Sequence, residues 1–180
     1  MDNKLNYGFA FQVGASCSEL LILEINLPFA VVLTIEKDLQ KLAVSSESIR
    51  ISSKGELKEF HLSSTVDDFL RNFNVYFSVK SLTLSLFQKW DRIPRLKTFK
   101  KLERLRFNFT IHENNSHRLL TALLEKTPLL KELSLSGFLM ARILIKHERL
   151  ELVDATDCEV KGKCLGVEEG IRTVLRREEG

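Results

Sequence analysis

Cysteine is scarce in this chain: three among 180 residues. An odd, small number excludes a framework of paired disulfides and fits a reducing compartment. Residues 1–15 carry no basic stretch followed by an apolar run, so no secretory leader is read there. Long hydrophobic runs are missing as well. The most apolar stretch, Leu20 to Ile35, is broken by Glu24, Asn26 and Pro28 and falls short of the roughly 20 residues a membrane-spanning helix needs. There is no Walker P-loop, no GxGxxG, no GxSxG and no HExxH. The four histidines and three cysteines do not fall into zinc-ligand spacing. His112 and His117 have no cysteine or carboxylate pattern around them and read as loop residues, and Cys158 and Cys164 read as one buried and one incidental thiol. A nucleophile needs a base within reach, and none is nominated. The expectation is a non-enzyme with no cofactor, no metal and no membrane association, located in the cytoplasm or nucleus.

What is present is ordinary in amount and unusual in arrangement. An apolar content of 44% with 28% charged residues belongs to one globular domain of a size that buries a core. The net charge of +3 is too small to imply nucleic acid by itself. The basic residues are nevertheless crowded: Lys89, Arg92, Arg95, Lys97, Lys100, Lys101, Arg104 and Arg106 share one stretch with only Asp91 and Glu103.

The organising pattern is LxxLxL, clearest in Leu130-Lys131-Glu132-Leu133-Ser134-Leu135. Further copies begin at Leu20, Leu39, Leu57, Val79 and Leu102, with a looser one at His147, giving spacings of 19, 18, 22, 23, 28 and 17 residues. A leucine-rich repeat runs to about 20–29 residues with one strand per repeat. Alternate side chains of a strand face opposite ways, so Leu133 and Leu135 are expected in the core with Ser134 and Ser136 outside. One unit cannot bury its apolar face alone; stacked units can. The fold expected is α/β: a leucine-rich-repeat solenoid with a curved, mostly parallel sheet of about six or seven strands. Short helices and loops should cover the convex side.

The connectors support this. Thr65 is a candidate N-cap followed by Asp67 and Asp68, with Phe69, Leu70 and Phe73 as the apolar face. Asn114-Asn115-Ser116 offers caps for a helix with Leu119, Leu120, Leu123 and Leu124 at helical spacing, and Thr127-Pro128 stops it. Residues 88–101 contain Pro94 and predict an irregular crossing, and Ser45 to Gly55 is too short for a full helix. The repeat domain is expected over 1–157. Residues 158–180 form a tail in which Ile171, Val174 and Leu175 outline a short helix over Val167 to Arg177, with the end disordered. The asparagine or cysteine that a regular repeat places three residues after its last leucine is absent: Pro28, Glu47, Thr65, Phe87, Thr110, Phe138 and Ala155 stand there. The turns must therefore be satisfied another way.

The run Phe77-Ser78-Val79-Lys80-Ser81-Leu82-Thr83-Leu84-Ser85 resembles the "VksLtLs" strand of plant F-box/FBD/LRR-repeat proteins. Ile93-Pro94 with Phe99 to Leu105 is similar to their "iP…FknLtrL" segment, and Leu119 to Leu135 is similar to "LLknsPnLetLvl". The similarity covers about residues 57–138. It implies a repeat array that presents substrate to a ubiquitin ligase. The F-box that would dock the ligase adaptor is missing or degenerate: Leu27-Pro28, Ile35 and Lys37-Asp38-Leu39 fit the strand pattern better than its helices. The C-terminal FBD is absent or reduced to the tail.

The expected function is non-catalytic recognition of a protein substrate or peptide segment, as the substrate-binding part of an F-box-type ubiquitin ligase adaptor. A ligase adaptor binds only if the degenerate F-box works. The expected site is the concave strand face, with Glu59, His61, Thr83, Arg104, Arg106, Ser134 and Glu151. Arginine is enriched among interface hot spots, although any outward strand position tends to be polar. Two other classes stay open. One is a nucleic-acid-binding module using the basic stretch 89–106, against which stand the low net charge and the sparse aromatics, Trp90 and Phe99. The other is a degenerate repeat fragment without a partner.

Overall fold

The computed structural model describes residues 8–76, 79–87, 95–109, 116–139, 143–145, 147–160, 165–167, 169 and 171–174. Six strands follow one another first: β1 (Gly8–Val13), β2 (Ile22–Asn26), β3 (Ala30–Ile35), β4 (Leu39–Ser45), β5 (Ile49–Ser53) and β6 (Leu57–Ser64). Helices α1 (Val66–Arg71) and α2 (Phe73–Tyr76) precede β7 (Ser81–Leu86) and β8 (Arg104–Phe109). Helix α3 (Ser116–Glu125) leads to β9 (Glu132–Leu139), β10 (Ile143–Ile145), β11 (Leu152–Val160), β12 (Leu165–Val167) and β13 (Arg172–Val174). Eight strands make one sheet in the order β2-β4-β6-β7-β8-β9-β11-β13; β1-β3-β5 and β10-β12 make two smaller ones. Every strand pair among the described residues is parallel. The protein is α/β, with mostly parallel strands and few helices.

Register explains the large sheet. Leu42, Phe60, Leu82, Leu105, Leu133 and Val153 stand opposite one another on successive strands. Val44, Leu62, Leu84, Phe107 and Leu135 form the next inward row. All of these are buried, and each fully buried side chain contributes about 1.5–3 kcal/mol. A slip of one residue would turn both rows to solvent. The expected count of six or seven strands becomes eight, because β13 adds a pairing of Leu152 with Arg172 that carries no leucine pattern.

The layer opposite this sheet differs from the expected helices and loops. At the N-terminal end it is itself a sheet, with Val31, Leu33 and Ile35 of β3 and Ile49 and Ile51 of β5 facing the common core. Ser45 to Gly55, left without an element by its length, holds β5; a connector too short for a helix still spans the layer as an extended strand. At Gly55 successive turns touch: a Cβ there would stand 2.0 Å from the Lys37 carbonyl oxygen, so only glycine fits. The sheet ends at β5, where the Asn72 amide takes the place of a next strand. Its Nδ2 donates to the Ile49 carbonyl at 2.8 Å and its Oδ1 accepts from the Ile51 N–H at 2.6 Å.

Helix α1 forms where its cap was expected: the Thr65 hydroxyl accepts from the Asp68 N–H at 3.1 Å. The buried Asp68 carboxylate in turn accepts from the Ser64 hydroxyl and from Arg71. Phe69, Phe73, Tyr76, Phe60 and Phe99 then fill the centre, with Tyr76 stacked on Phe69 and Phe60 at 5.1 and 5.2 Å between centroids. Leu119, Leu120 and Leu123 seat α3 on the same core.

Serine answers the missing asparagines. Ser46 and Ser64, one position before the expected one, are buried. The Ser64 hydroxyl, whose one proton goes to Asp68 at 2.8 Å, lies 3.1 Å from the Ser46 carbonyl, and the Ser46 hydroxyl shares its one proton between the carbonyls of Phe29 and Ser48.

The C-terminal reading needs two corrections. No helix occurs at residues 165–167 or 172–174, which are β12 and β13; the i, i+3 spacing of Ile171 and Val174 suits a helix, and strand pairing with β11 overrides it. Strand β11 also runs through Val160, so it crosses the boundary drawn at 157. The last four residues, 177–180, assigned to a disordered end, lie outside the described residues, as do 175 and 176 of the expected helix.

Candidate functional site

The outward face of the large sheet carries three rows of side chains. The first runs Ile22, Lys41, Glu59, Ser81, Arg104, Glu132 and Leu152. The second runs Glu24, Ala43, His61, Thr83, Arg106, Ser134 and Asp154. The third runs Asn26, Ser45, Ser63, Ser85, Asn108 and Ser136. In-register parallel pairing places these neighbours about 4.8 Å apart.

Six of the seven expected site residues stand together here: Glu59, His61, Thr83, Arg104, Arg106 and Ser134. Glu151 does not. It precedes β11, and Asp154 occupies the place opposite Ser134. The expected frame was set by Leu150 and Leu152, whereas the inward pair is Val153 and Ala155, both buried. The last unit therefore begins at Leu150, twenty residues after Leu130, and not at His147. The turn geometry agrees. The N–H groups of Leu20, Leu130 and Leu150 each donate to the carbonyl three residues earlier, so all three open a unit alike. Counted from Leu150 and Leu152, Val153 would fall on the outer face; it belongs to the core.

Charges on this face are paired across strands. Lys41 reaches Glu24 at 2.6 Å, and Arg104 reaches past Ser81 to Glu59 at 3.3 Å. The Lys41 hydrogen bond and charge hold the Glu24 carboxyl below its ordinary range. His61 is pushed down, first by burial and then by Lys41 and Arg106, with Glu59 and Glu24 opposing. It is thus a neutral imidazole near pH 7, able to donate and accept one hydrogen bond each. Beside it the third row is wired together: Asn108 Nδ2 donates to the Ser85 hydroxyl at 2.5 Å, and the Ser136 hydroxyl donates to Asn108 Oδ1. An open recess of about 380 Å³ lies over these strands, lined by Glu24, Asn26, Ser45, His61, Thr83 and Asn108 among others.

The basic stretch divides. Residues 88–94, with Lys89, Trp90 and Arg92, lie outside the described residues. Arg95, Lys97, Lys100 and Lys101 are exposed ahead of β8, and Lys101 lies 3.6 Å from Glu56. Arg104 and Arg106 are on the outward face itself. His112 and Cys164 are not among the described residues, and His117 sits in the first turn of α3 and not in a loop. No cluster of three or more histidine, cysteine, aspartate or glutamate side chains that could hold a metal occurs among the described residues. No helix among them is long and apolar enough to cross a membrane. Compared with known proteins, the chain matches no family model, no curated protein and no solved structure.

The sequence pattern missed Asp154 because it searched for leucines. The column two places after the second row was legible as small or polar and open to hydrogen bonding, with Ser85, Asn108 and Ser136 in it; which of them bond one another was not.

Proposed function

We propose that the protein is a non-catalytic protein-recognition module, built as a leucine-rich-repeat solenoid, that holds a polar peptide segment on the outward face of its large sheet. The supporting observation is the outward surface of β4, β6, β7 and β8. There the recess is floored by hydroxyls, an amide and a neutral imidazole, between ion pairs of both signs. Mixed charge fits a peptide carrying both signs better than a uniform polyanion. This weighs against nucleic acid at the same face, since Arg104 is already engaged by Glu59. The further reading, that this is the substrate-binding part of an F-box-type ubiquitin ligase adaptor, rests on the resemblance over residues 57–138 alone.

Proximity labelling with the chain expressed in cells tests both levels. Recovery of a discrete protein partner, lost when Asn108 is replaced by Leu, supports recognition through this face. Recovery of RNA-binding complexes only after ribonuclease-sensitive capture contradicts it. Co-recovery of ligase adaptor or cullin components decides the narrower reading.

A further inference from the structure

The rows of the core do not close at β1 and β2. Phe9, Phe11 and Phe29 are 47%, 38% and 46% exposed, although the register puts Phe9 and Phe11 on the same inward face as buried Val31 and Leu33. The Phe9 ring lies 6.2 Å from that of Phe11 and 6.0 Å from that of Phe29. Leu21 and Ile22 are also about half exposed, and Leu23 and Ile25 on the inward face of β2 are only partly covered. This end is therefore a cross-section through a hydrophobic core. A stacked array needs a polar cap at such an end.

The backbone is open there too. Among the described residues no strand pairs with the outer edge of β1 or of β2. Exposed edges of this kind are ordinarily protected by lysine, proline or inward charge. Strand β1, Gly-Phe-Ala-Phe-Gln-Val, has none of these. The Val13 carbonyl accepts from Glu36 N–H at 2.9 Å, toward β3. Polar backbone groups alternate sides along a strand, so Phe9, Phe11 and Val13 turn theirs to β3 while Gly8, Ala10 and Gln12 turn theirs to the open edge.

We propose that this end is the interface of a symmetric dimer in which β1 pairs antiparallel with β1 of a second copy about a twofold axis at Ala10. The occupant is a second copy because the edge is complementary to itself. With the axis at Ala10, the two Ala10 residues exchange both of their hydrogen bonds, Gly8 meets Gln12, and Phe9 of each copy stands beside Phe11 of the other. The charge pattern permits it, since β1 is uncharged and the one carboxylate of β2, Glu24, is engaged by Lys41. The area is adequate. Each phenylalanine side chain covers 150–250 Å², so the three exposed fractions give roughly 500 Å² between two copies. Leu21, Ile22 and the strand backbones bring the total to the order of the 1,000 Å² that a stable interface needs.

Sedimentation of the full chain over about 1–100 μM, with amide hydrogen exchange at both ends of that range, tests this. The expected result is a species of twice 20.7 kDa in which the Ala10 and Gln12 amides gain protection on concentration while the Phe11 amide is protected throughout. Ala10→Pro removes an N–H that the chain itself does not use, as edge strands tolerate. It should weaken dimerisation at least 100-fold while leaving the circular dichroism unchanged. Phe9→Lys, a side-chain change without a backbone change, should do the same. A chain that stays at 20.7 kDa throughout, a heavier open-ended series, or a dimer that survives both substitutions overturns the proposal.

Discussion

Tyr76→Phe should make the protein more stable. Tyr76 is fully buried, and among the described residues its hydroxyl has no hydrogen-bond partner; burial also drives its pKa well up. Its ring contacts with Phe60, Phe69, Phe73 and Phe99 do not involve the oxygen and survive its removal. A buried hydroxyl left unpaired costs about 1–3 kcal/mol. Against this, deleting it leaves a void of about 10–15 Å³, which at about 24 cal/mol per Å³ costs a few tenths of a kcal/mol. The net expectation is a gain of about 1–2 kcal/mol, or an increase in Tm of roughly 2–8 °C for a chain of this size. Urea unfolding followed by circular dichroism reads it directly, provided m is unchanged between the two proteins. A loss of more than about 1 kcal/mol would refute the reasoning, because it would mean that the oxygen is bonded.

Three further outcomes follow from packing, polar satisfaction and charge. Leu133→Ala should cost about 2–5 kcal/mol and Ser134→Ala under about 0.5, both by denaturant melts, since neighbouring residues face opposite ways; equal losses would mean a wrong register. Asn72→Leu, which strands the Ile49 carbonyl and the Ile51 N–H, should cost about 2–4 kcal/mol in the same assay, and an unchanged midpoint would deny the amide its role at the end of the smaller sheet. Because the folded pKa of His61 lies below its unfolded value, protons bind the unfolded chain more readily. Its part of the stability is full above about pH 6.5 and is lost as pH falls toward the folded pKa. Melts at pH 7.5 and 5.5 should therefore show a steeper acid loss in the wild type than in His61→Asn, with the like-signed shift of His117 common to both; parallel slopes would contradict this.

Most of the large sheet was legible because its signal is local. Leu133 and Leu135 alternate with serine, and strands with that period and in-register stacking have one way to bury both rows. The cap at Thr65 and the helix through Leu119 and Leu123 were legible for the same reason. The opposite layer was not. Ile49-Arg50-Ile51 is too short to declare itself, and what makes it a strand is the neighbouring β3, eighteen residues away in sequence. Asn72 gave no sign of its role, since its partners on β5 are 21 and 23 residues away. The outer face was half legible. Columns counted from leucines placed Arg104 and Arg106 on one face, and they failed at Glu151, where valine and alanine replace leucine in the core.

The central claim, that recognition is a property of the outward sheet face, is tested most directly by partner capture with two sets of charge reversals. Arg106→Glu lies on that face between Thr83 and Ser134; Lys97→Glu and Lys100→Glu lie on the segment ahead of β8. Capture from cell extract should be lost with Arg106→Glu, at a thermal midpoint near that of the wild type, and kept with both lysine reversals. Capture that survives Arg106→Glu and fails with Lys97→Glu or Lys100→Glu would contradict the account and move the site to the basic stretch.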